Sequence, residues 1–591
     1  MDPHQPVLRR NVNWIRDPRN PILPPGPAGS FDSIRTMNPW VIRRDDEYHL
    51  YYSGGDADGR QRICLATAPV SDLSRWHRQG TLFDNGPAGA FDHRWCVLPH
   101  VVQLAPDRWH LYYTGNSGEG SGLSAFPGLG VAISHDGKHW SKFQGNPILA
   151  RTGREGDPDA QGIAGGSVVS VRLPEGHTEW RFYYTACPTL GNDVFLNQQK
   201  IICLATSADG LHWTKKGAVL WRDPERDYAN VAVATPVVHQ LPDGSFQMWF
   251  SQIGTRWGFY SIGYAESNDG LTWRRGNHYG DELQLGPGTG WDAQMVEYPS
   301  VVTENNRQRL FFCGNGYGGS GIGTALSTPL RATAVKGPCL VHLTSDWLDA
   351  QWILRIPEGL LCDEGLFKIH SHPVLDWHGP DANGMIWHEW EALEADVETM
   401  RTGHPAAVRE KVHVLAGIRY RVILKPDLNG LNLRLTVINQ SPTPFHNVTG
   451  FPCLSAQSES FHDPTLSRTW IQTATGLTPL DRTGRGTIDP NRTHYQIKGA
   501  TPIKHYGESF WGQPSSTLAT SGVILRSSRD GRFTIGMSWD SVSQIFQNED
   551  THHCLHSLPA FGDLLPGQTQ TVCGRIVLAE GGPEEALALL G

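Results

Sequence analysis

The stretch Trp291–Gly323, WDAQMVEYPSVVTENNRQRLFFCGNGYGGSGIG, runs from an acidic loop into a short apolar strand around Glu297 and Pro299. A polar turn, a second apolar strand and a glycine-rich turn follow. Short apolar runs separated by Gly, Asn and Asp turns mark an antiparallel meander. The same order of parts recurs earlier in the chain. Strand openings appear as MNPWVI from Met37, VLPHVV from Val97, AGGSVV from Ala164, ATPVVH from Ala234 and EYPSVV from Glu297. Each leads to an aromatic strand: YHLYYSG, WHLYYTG, WRFYYTA, FQMWFSQ and RLFFCG. Each of those leads to a small-residue strand: RICLATA, GVAISHDG, IICLATSADG, SIGYAESNDG and GIGTALS. Three units continue into S-x-D-G-x-x-W, ending at Trp140, Trp213 and Trp273, and SDLSRW at Trp76 is a degenerate copy. Asp-Gly makes the turn and Trp starts an outermost strand.

Five units of four strands, spaced about 60–70 residues apart, predict a five-bladed β-propeller. The last unit stops after its third strand, at Ser327. The segment Trp14–Leu23 (WIRDPRNPIL) resembles HWSKFQGNPIL, the outer-strand segment ending at Leu149, and is expected to close the ring as the missing strand. A linker is expected from about Thr328 to Pro338. Beyond it, Leu340–Leu578 shows longer alternating strands, such as RLTVINQSPTPFHNVTGFPCLSA, which predict a β-sandwich of the supersandwich or jelly-roll kind. The chain thus reads as all-β, with a propeller over residues 1–335 and a sandwich over 336–591. The closing PEEALALLG is at best a short helix.

Composition limits the function classes. The chain has 591 residues, 39% hydrophobic and 18% charged, enough for two or three globular domains. A net charge of -9, spread along the chain, supplies no basic patch for nucleic acid. No run of ~18 apolar residues exists to span a membrane. The start, MDPHQPVLRRNVNW, lacks the apolar core of a signal peptide, so a cytoplasmic location is expected. The 10 cysteines lack CxxC spacing, and Cys64, Cys203 and Cys313 read as buried thiols. No cofactor is expected.

The chemistry is sought at one phase of the repeat. Seven residues before Pro39, Pro99, Gly166, Pro236 and Pro299 stand Asp32, Asp92, Asp159, Ala229 and Asp292. Acids at that phase, brought to the mouth of a funnel, would repel one another and separate into an acid and a base. The plainer reading makes each of them a turn former. Glu297 stands where the other units have Met37, Val97, Ala164 and Ala234, and a carboxylate on an otherwise apolar inner strand reads as a general acid. The same phasing places Arg35, His93, Arg94, Trp95, His100, Asp157, Gln161, Tyr260, Asn315 and Tyr317 around a bound sugar, with Trp95 stacking on a ring. In the second domain, HSH at His370–His372 and HHCLH at His552–His556 have the look of metal ligands, though no complete ligand set is visible and no metal is assigned.

The blade grammar, x-P-x-V followed by LYYSG or LFFCGN together with S-x-D-G-x-x-W, resembles that of the five-bladed propeller glycosidases, families 43, 32, 68, 117 and 130. The resemblance covers the first ~330 residues. It implies a small carbohydrate or glycoside as the substrate and acids on the first three blades as base or nucleophile, pKa modulator and general acid. This chain departs from that pattern. Asn38 stands before the first proline, VLP replaces the second-blade R-D-P, and Asp157 and Asp159 stand in for the third-blade Glu. Asp32 is therefore taken as base or nucleophile, Glu297 as acid, and Asp92 and Asp159 as orienting groups. Phosphorolysis, with Arg35, Arg94, His93 and His100 holding phosphate, and sugar binding without turnover are the rival readings. A second copy of the chain is a candidate partner through the sandwich.

Overall fold

The structure is a computed structural model. It describes residues 14–591 apart from 174–175, 190–198, 276–282, 284, 305–306, 335–339, 346, 369–376, 380, 382–383, 393–395, 402–408, 487–489, 504–512 and 550–551. The His370–His372 run lies outside the described residues. The chain divides into two compact units, one ending at Ser327 and the other beginning at Thr328.

The first unit is built from five antiparallel meanders, each lying on the next. The innermost strands are Arg35–Arg44, Trp95–Ala105, Gly162–Arg172, Ala232–Gln240 and Glu297–Glu304. The aromatic second strands, such as Glu47–Gly55 and Arg108–Asn116, are buried on both faces, which explains their unbroken apolar run. The ring closes as the sequence predicts: Trp14–Arg16 pairs antiparallel with Ala325–Ser327, and Leu23 bridges to Ile322.

Each pair of neighbouring blades shares its own apolar core. The double tyrosine of the second strand works in two directions. Tyr51, Tyr112 and Tyr183 donate to the Gly137, Gly210 and Gly270 carbonyls in the Asp-Gly turn of the next blade, at 2.9, 3.0 and 2.8 Å. The tryptophan closing each of those turns stands edge-on to the same tyrosine, at 6.2, 6.0 and 5.7 Å between ring centroids. The S-x-D-G-x-x-W motif therefore serves as an inter-blade clasp, and its tryptophans belong to the core.

Around the axis, the innermost strands break register at the mark that repeats through the sequence. The bulges place Asn38, Leu98, Thr235 and Tyr298 in the left-handed region, at φ 54°, 56°, 47° and 55°, each just before a proline. Side chains there, and a residue preceding proline above all, are disfavoured in that region. The conformation is held by hydrogen bonds from the neighbouring blade. Leu98, Gly165, Thr235 and Tyr298 donate their N–H groups to Ser53, Thr114, Thr185 and Ser251, at 3.1, 2.7, 2.7 and 2.9 Å. The Asn38 N–H meets the Cys313 thiol in the fifth position. Ser251→Ala strands the buried Tyr298 N–H, and the Thr235 hydroxyl 2.7 Å away loses its partner as well. A stability loss of about 2 kcal/mol is expected in urea unfolding.

The second unit, Thr328–Gly591, contains one sheet of 11 strands and one of 8 among the described residues. A single apolar cluster draws on both sheets, from Trp352 and Leu454 to Tyr420 and Ile535. Strand Ile418–Asp427 alternates buried and open residues, as its sequence predicts. One expectation changes, and the short helix read at the C-terminus is found. The linker read at Thr328–Pro338 contains the strand Arg331–Ala334, paired with Leu340–Thr344, because its alternating short side chains fit a sheet edge. The C-terminal segment is a helix, Pro583–Leu590, started by Pro at its first turn and Glu585 reaching back to the Gly582 N–H at 2.8 Å. Among the described residues no helix is long and apolar enough to cross a membrane.

Candidate active site

The phase-locked aspartates do not meet at the axis. Each is buried inside its own blade. Asp32 accepts from Tyr52 at 2.8 Å, Arg78 at 2.7 Å and Ser30 at 2.9 Å. Asp92 accepts from Tyr113 at 2.9 Å and Lys142 at 2.6 Å. Asp159 accepts from Tyr184 at 3.3 Å and is paired with Lys215, and Asp292 is paired with Arg16 at 2.6 Å. The cations all stand two residues after the outer-strand tryptophan: Trp76, Trp140, Trp213 and Trp14. An acid neutralised by its own blade is a structural tie between inner loop, second strand and outer strand. The catalytic and sugar-orienting roles expected of Asp32, Asp92, Asp159 and Asp292 are corrected accordingly.

The fourth blade differs. It has Ala229 in place of the aspartate and Phe250 in place of the second tyrosine, yet keeps the cation Arg275. Arg275 lies over Phe250 at 5.3 Å and feels the charge of Asp223. Asp223 occupies the position held by Gly26, Gly86 and Gly286 in blades 1, 2 and 5. There a Cβ would collide with the aspartate carboxylate. Asp223 pairs with Arg226 at 2.9 Å and acts on Arg275 through its charge alone, so the fourth blade keeps the cation without the direct tie.

The cavity of the ring lies elsewhere. It holds about 500 Å³ and is bounded by Arg94, Trp95, Asn116, Phe126, Thr185, Lys200, Thr235, Tyr260, Tyr298 and Tyr317, with Ala164 and Ala234 between them. That volume is within the range of small-molecule sites. The strained bulge residues form its axial neck: Leu98, Thr235 and Tyr298 line both the cavity and the narrow gap of about 30 Å³ along the axis. Strain gathered at a cavity wall is a mark of a positioned site. Trp95 is fixed by its indole N–H on the Gly59 carbonyl at 2.8 Å, and the Arg94 guanidinium lies 5.7 Å over its ring.

Glu297 is fully buried beside this cavity, one residue before Tyr298. Burial pushes its carboxyl well above the usual carboxylate range, against the opposing pull of Lys200, the Tyr298 hydroxyl and Arg35. Neither carboxyl oxygen has a hydrogen-bond partner in good geometry among the described residues. Lys200 faces the cavity and donates to the Tyr260 hydroxyl at 2.5 Å. Burial pulls its amine down to about 8, while Glu297 acts the other way. Low dielectric thus disfavours the charged form of both groups.

Of the remaining expected residues, Arg94, Trp95, Tyr260 and Tyr317 line the cavity and Arg35 acts on Glu297 from behind. His100 does not reach the mouth. It is wedged between blades, bonded to Val168 N–H at 3.0 Å, and burial pushes it down to about 3, so it stays neutral. His93 is exposed with Nδ1 3.2 Å from the Gly86 carbonyl, outside the cavity wall. Asn315 is a brace: it accepts from the Gln294 N–H at 2.8 Å and donates to the Gly290 carbonyl at 2.8 Å, holding the loop that leads to Glu297. Asp157 and Gln161 sit in the turn before the third inner strand and do not line the cavity. Lys200, Tyr298, Phe126, Asn116, Thr185 and Thr235 were not foreseen. Lys200 had a signal: counted back from the conserved spacing of the third strands IICLATS and SIGYAES, it holds the same place as Tyr260.

No protein-family model matches the chain. Uncharacterised proteins of two strains of Mycobacterium tuberculosis are each 29% identical to it over 319 residues, which is 51% of this chain and 95% of theirs. Over about half its length the chain is structurally similar to solved five-bladed propeller glycoside hydrolases. One is described simply as a glycoside hydrolase, with 16% identity, a TM-score of 0.43 and coverage of 53% of this chain and 92% of that one. Another belongs to the family 130 mannoside phosphorylases and hydrolases, with 17% identity, a TM-score of 0.41 and coverage of 55% and 96%. A third is the α-L-arabinofuranosidase of Podospora anserina in complex with cellotriose, with 12% identity, a TM-score of 0.39 and coverage of 54% and 96%.

Proposed function

We propose that the chain cleaves a glycosidic bond in this cavity, with Glu297 as the source of the proton that the leaving oxygen takes up. The observation that carries the reading is the fully buried carboxyl beside the cavity, its pKa raised by burial, next to an amine and three tyrosines that line the cavity. A carboxyl kept neutral by burial is suited to protonate an oxygen as it leaves. Lys200 and Tyr260 line the cavity and interact electrostatically with Glu297, and Trp95 offers a face for a sugar ring. The C-terminal unit is read as a β-sandwich accessory domain.

The nucleophile follows from charge. Hydrolysis by paired carboxylates needs a second acid about 5–10 Å from the first. Among the described residues lining the cavity there is no Asp or Glu, whereas Lys200 and Arg94 line it and Arg35 lies behind. This favours phosphate as the attacking group: its oxygen bonds to the anomeric carbon, the glycosidic C–O bond breaks, and the departing oxygen takes the proton. Turnover of disaccharides and aryl glycosides should be measured with and without inorganic phosphate. The expected outcome is release of sugar phosphate that rises with phosphate concentration. Phosphate-independent release would assign water instead, and sugar binding with no turnover in either condition would overturn the catalytic reading.

A further inference from the structure

In the second unit the strands Phe445–Ala456 and Cys554–Leu564 run antiparallel, with Leu454 opposite Leu555 and Ser455 opposite Cys554. That register sets Cys453 across from His556. Opposed residues share a face and successive residues alternate. Cys453, Ser455, Cys554 and His556 therefore form a square on one face, while Leu454 and Leu555 join the main core on the other. The ligand atoms of Cys453, Cys554 and His556 lie within 4.8 Å of one another, and all three residues are buried. The two sulfurs are 3.0 Å apart. His556 Nδ1 is 2.8 Å from the Pro452 carbonyl. A carbonyl only accepts, so Nδ1 carries the proton and Nε2 keeps the lone pair. Imidazoles that bind metals are commonly oriented in this way through the other nitrogen. The rings of Phe451 and Phe546, 4.6 and 5.1 Å from His556, belong to a separate apolar cluster that dries the site.

We propose that Cys453, Cys554 and His556 bind a thiophilic d10 cation of the zinc class, clamping these two strands together. Two thiolates and an imidazole select Zn²⁺ or Cu⁺ over the hard cations that prefer oxygen. On binding, each thiol gives up its proton and each sulfur forms a bond to the ion, with no change of oxidation state. An ion about 2.3 Å from each sulfur spreads them to roughly 3.7 Å, within reach of side-chain rotation. A disulfide is the competing fate of a close pair of sulfurs, but it would leave the oriented imidazole without a role. Of the HHCLH run, only Cys554 and His556 contribute donors. The third, Cys453, lies 101 residues from Cys554, which is why spacing alone did not reveal it.

The full-length reduced chain, stripped with chelator, should take up one Zn²⁺ and release about two protons. Co²⁺ in its place should show a thiolate-to-metal charge-transfer band. Cys554→Ser should lower Zn²⁺ affinity at least about 100-fold, whereas Cys573→Ser, which removes an exposed thiol, should leave it unchanged. Comparison of Zn²⁺ with Cu⁺ then names the ion. If Cys554→Ser does not fold, the proton count and the cobalt spectrum of the unaltered chain decide. Absence of stoichiometric metal, a cobalt spectrum without the thiolate band, or a Cys453–Cys554 cross-link that forms even with Zn²⁺ present would overturn the proposal.

Discussion

Glu297→Gln is expected to lower kcat by about 100- to 10,000-fold, the usual worth of a general acid, on whatever glycoside the chain turns over. KM should change little, because the amide fills the same volume and burial leaves no room for a new substrate contact. The fold should not suffer. The native carboxyl titrates above its unfolded value, so its favourable contribution is complete below the unfolded pKa. That contribution is lost as pH rises through the raised native pKa, where burying the charge becomes costly. The unaltered chain should therefore lose stability, and turnover, across that window. Glu297→Gln should remove this pH dependence of stability and melt at an equal or higher temperature above it. Loss of activity without loss of stability separates an acid that reacts from one that only supports packing.

Asp92→Asn is expected to do the reverse. Its carboxylate is buried against Tyr113 and Lys142, at 2.9 and 2.6 Å, so the amide leaves a cation half-buried without its counter-charge. Breaking such a pair from one side costs about 3–5 kcal/mol when fully buried. With the Lys142 side chain 25% exposed, about 2–3 kcal/mol is expected. The denaturation midpoint should fall accordingly, while kcat at a temperature well below melting should stay within about threefold of the unaltered chain. Asp32→Asn should behave alike, since Arg78 is equally exposed. If either substitution abolished turnover in a well-folded protein, the blade-tie assignment would be wrong.

Much of the ring was legible because each part of the repeat has a separate physical cause: turn chemistry, a doubly buried strand and a tryptophan clasp recur in phase. The closing strand was legible for the same reason, since WIRDPRNPIL carries the outer-strand pattern. The site was harder. Repetition identifies what the blades share, and four of the five share the tie. The aspartates stood out because they recur, and recurrence pointed to architecture. One clue was present in the letters: a cation always follows the outer tryptophan by two. The residues around the cavity are those that break the repeat. Glu297 broke it visibly, as the only acid at its phase. Lys200 broke it at the foot of a third strand, where Tyr260 stands in the fourth blade. His100 misled because an imidazole phased toward the mouth instead satisfies the Val168 N–H between blades, a non-local partner that no spacing reveals.

The claim on which the rest depends is that one buried carboxyl, and not the ring of aspartates, is the protonated acid of the cavity. Infrared difference spectra of the unaltered chain minus Glu297→Gln, taken across a pH series, test it directly. The predicted result is a protonated carboxyl C=O band that persists well above pH 4.5 and vanishes only as the raised pKa is crossed. A Glu297 that titrates in the ordinary carboxylate range, with no such band, would contradict the account.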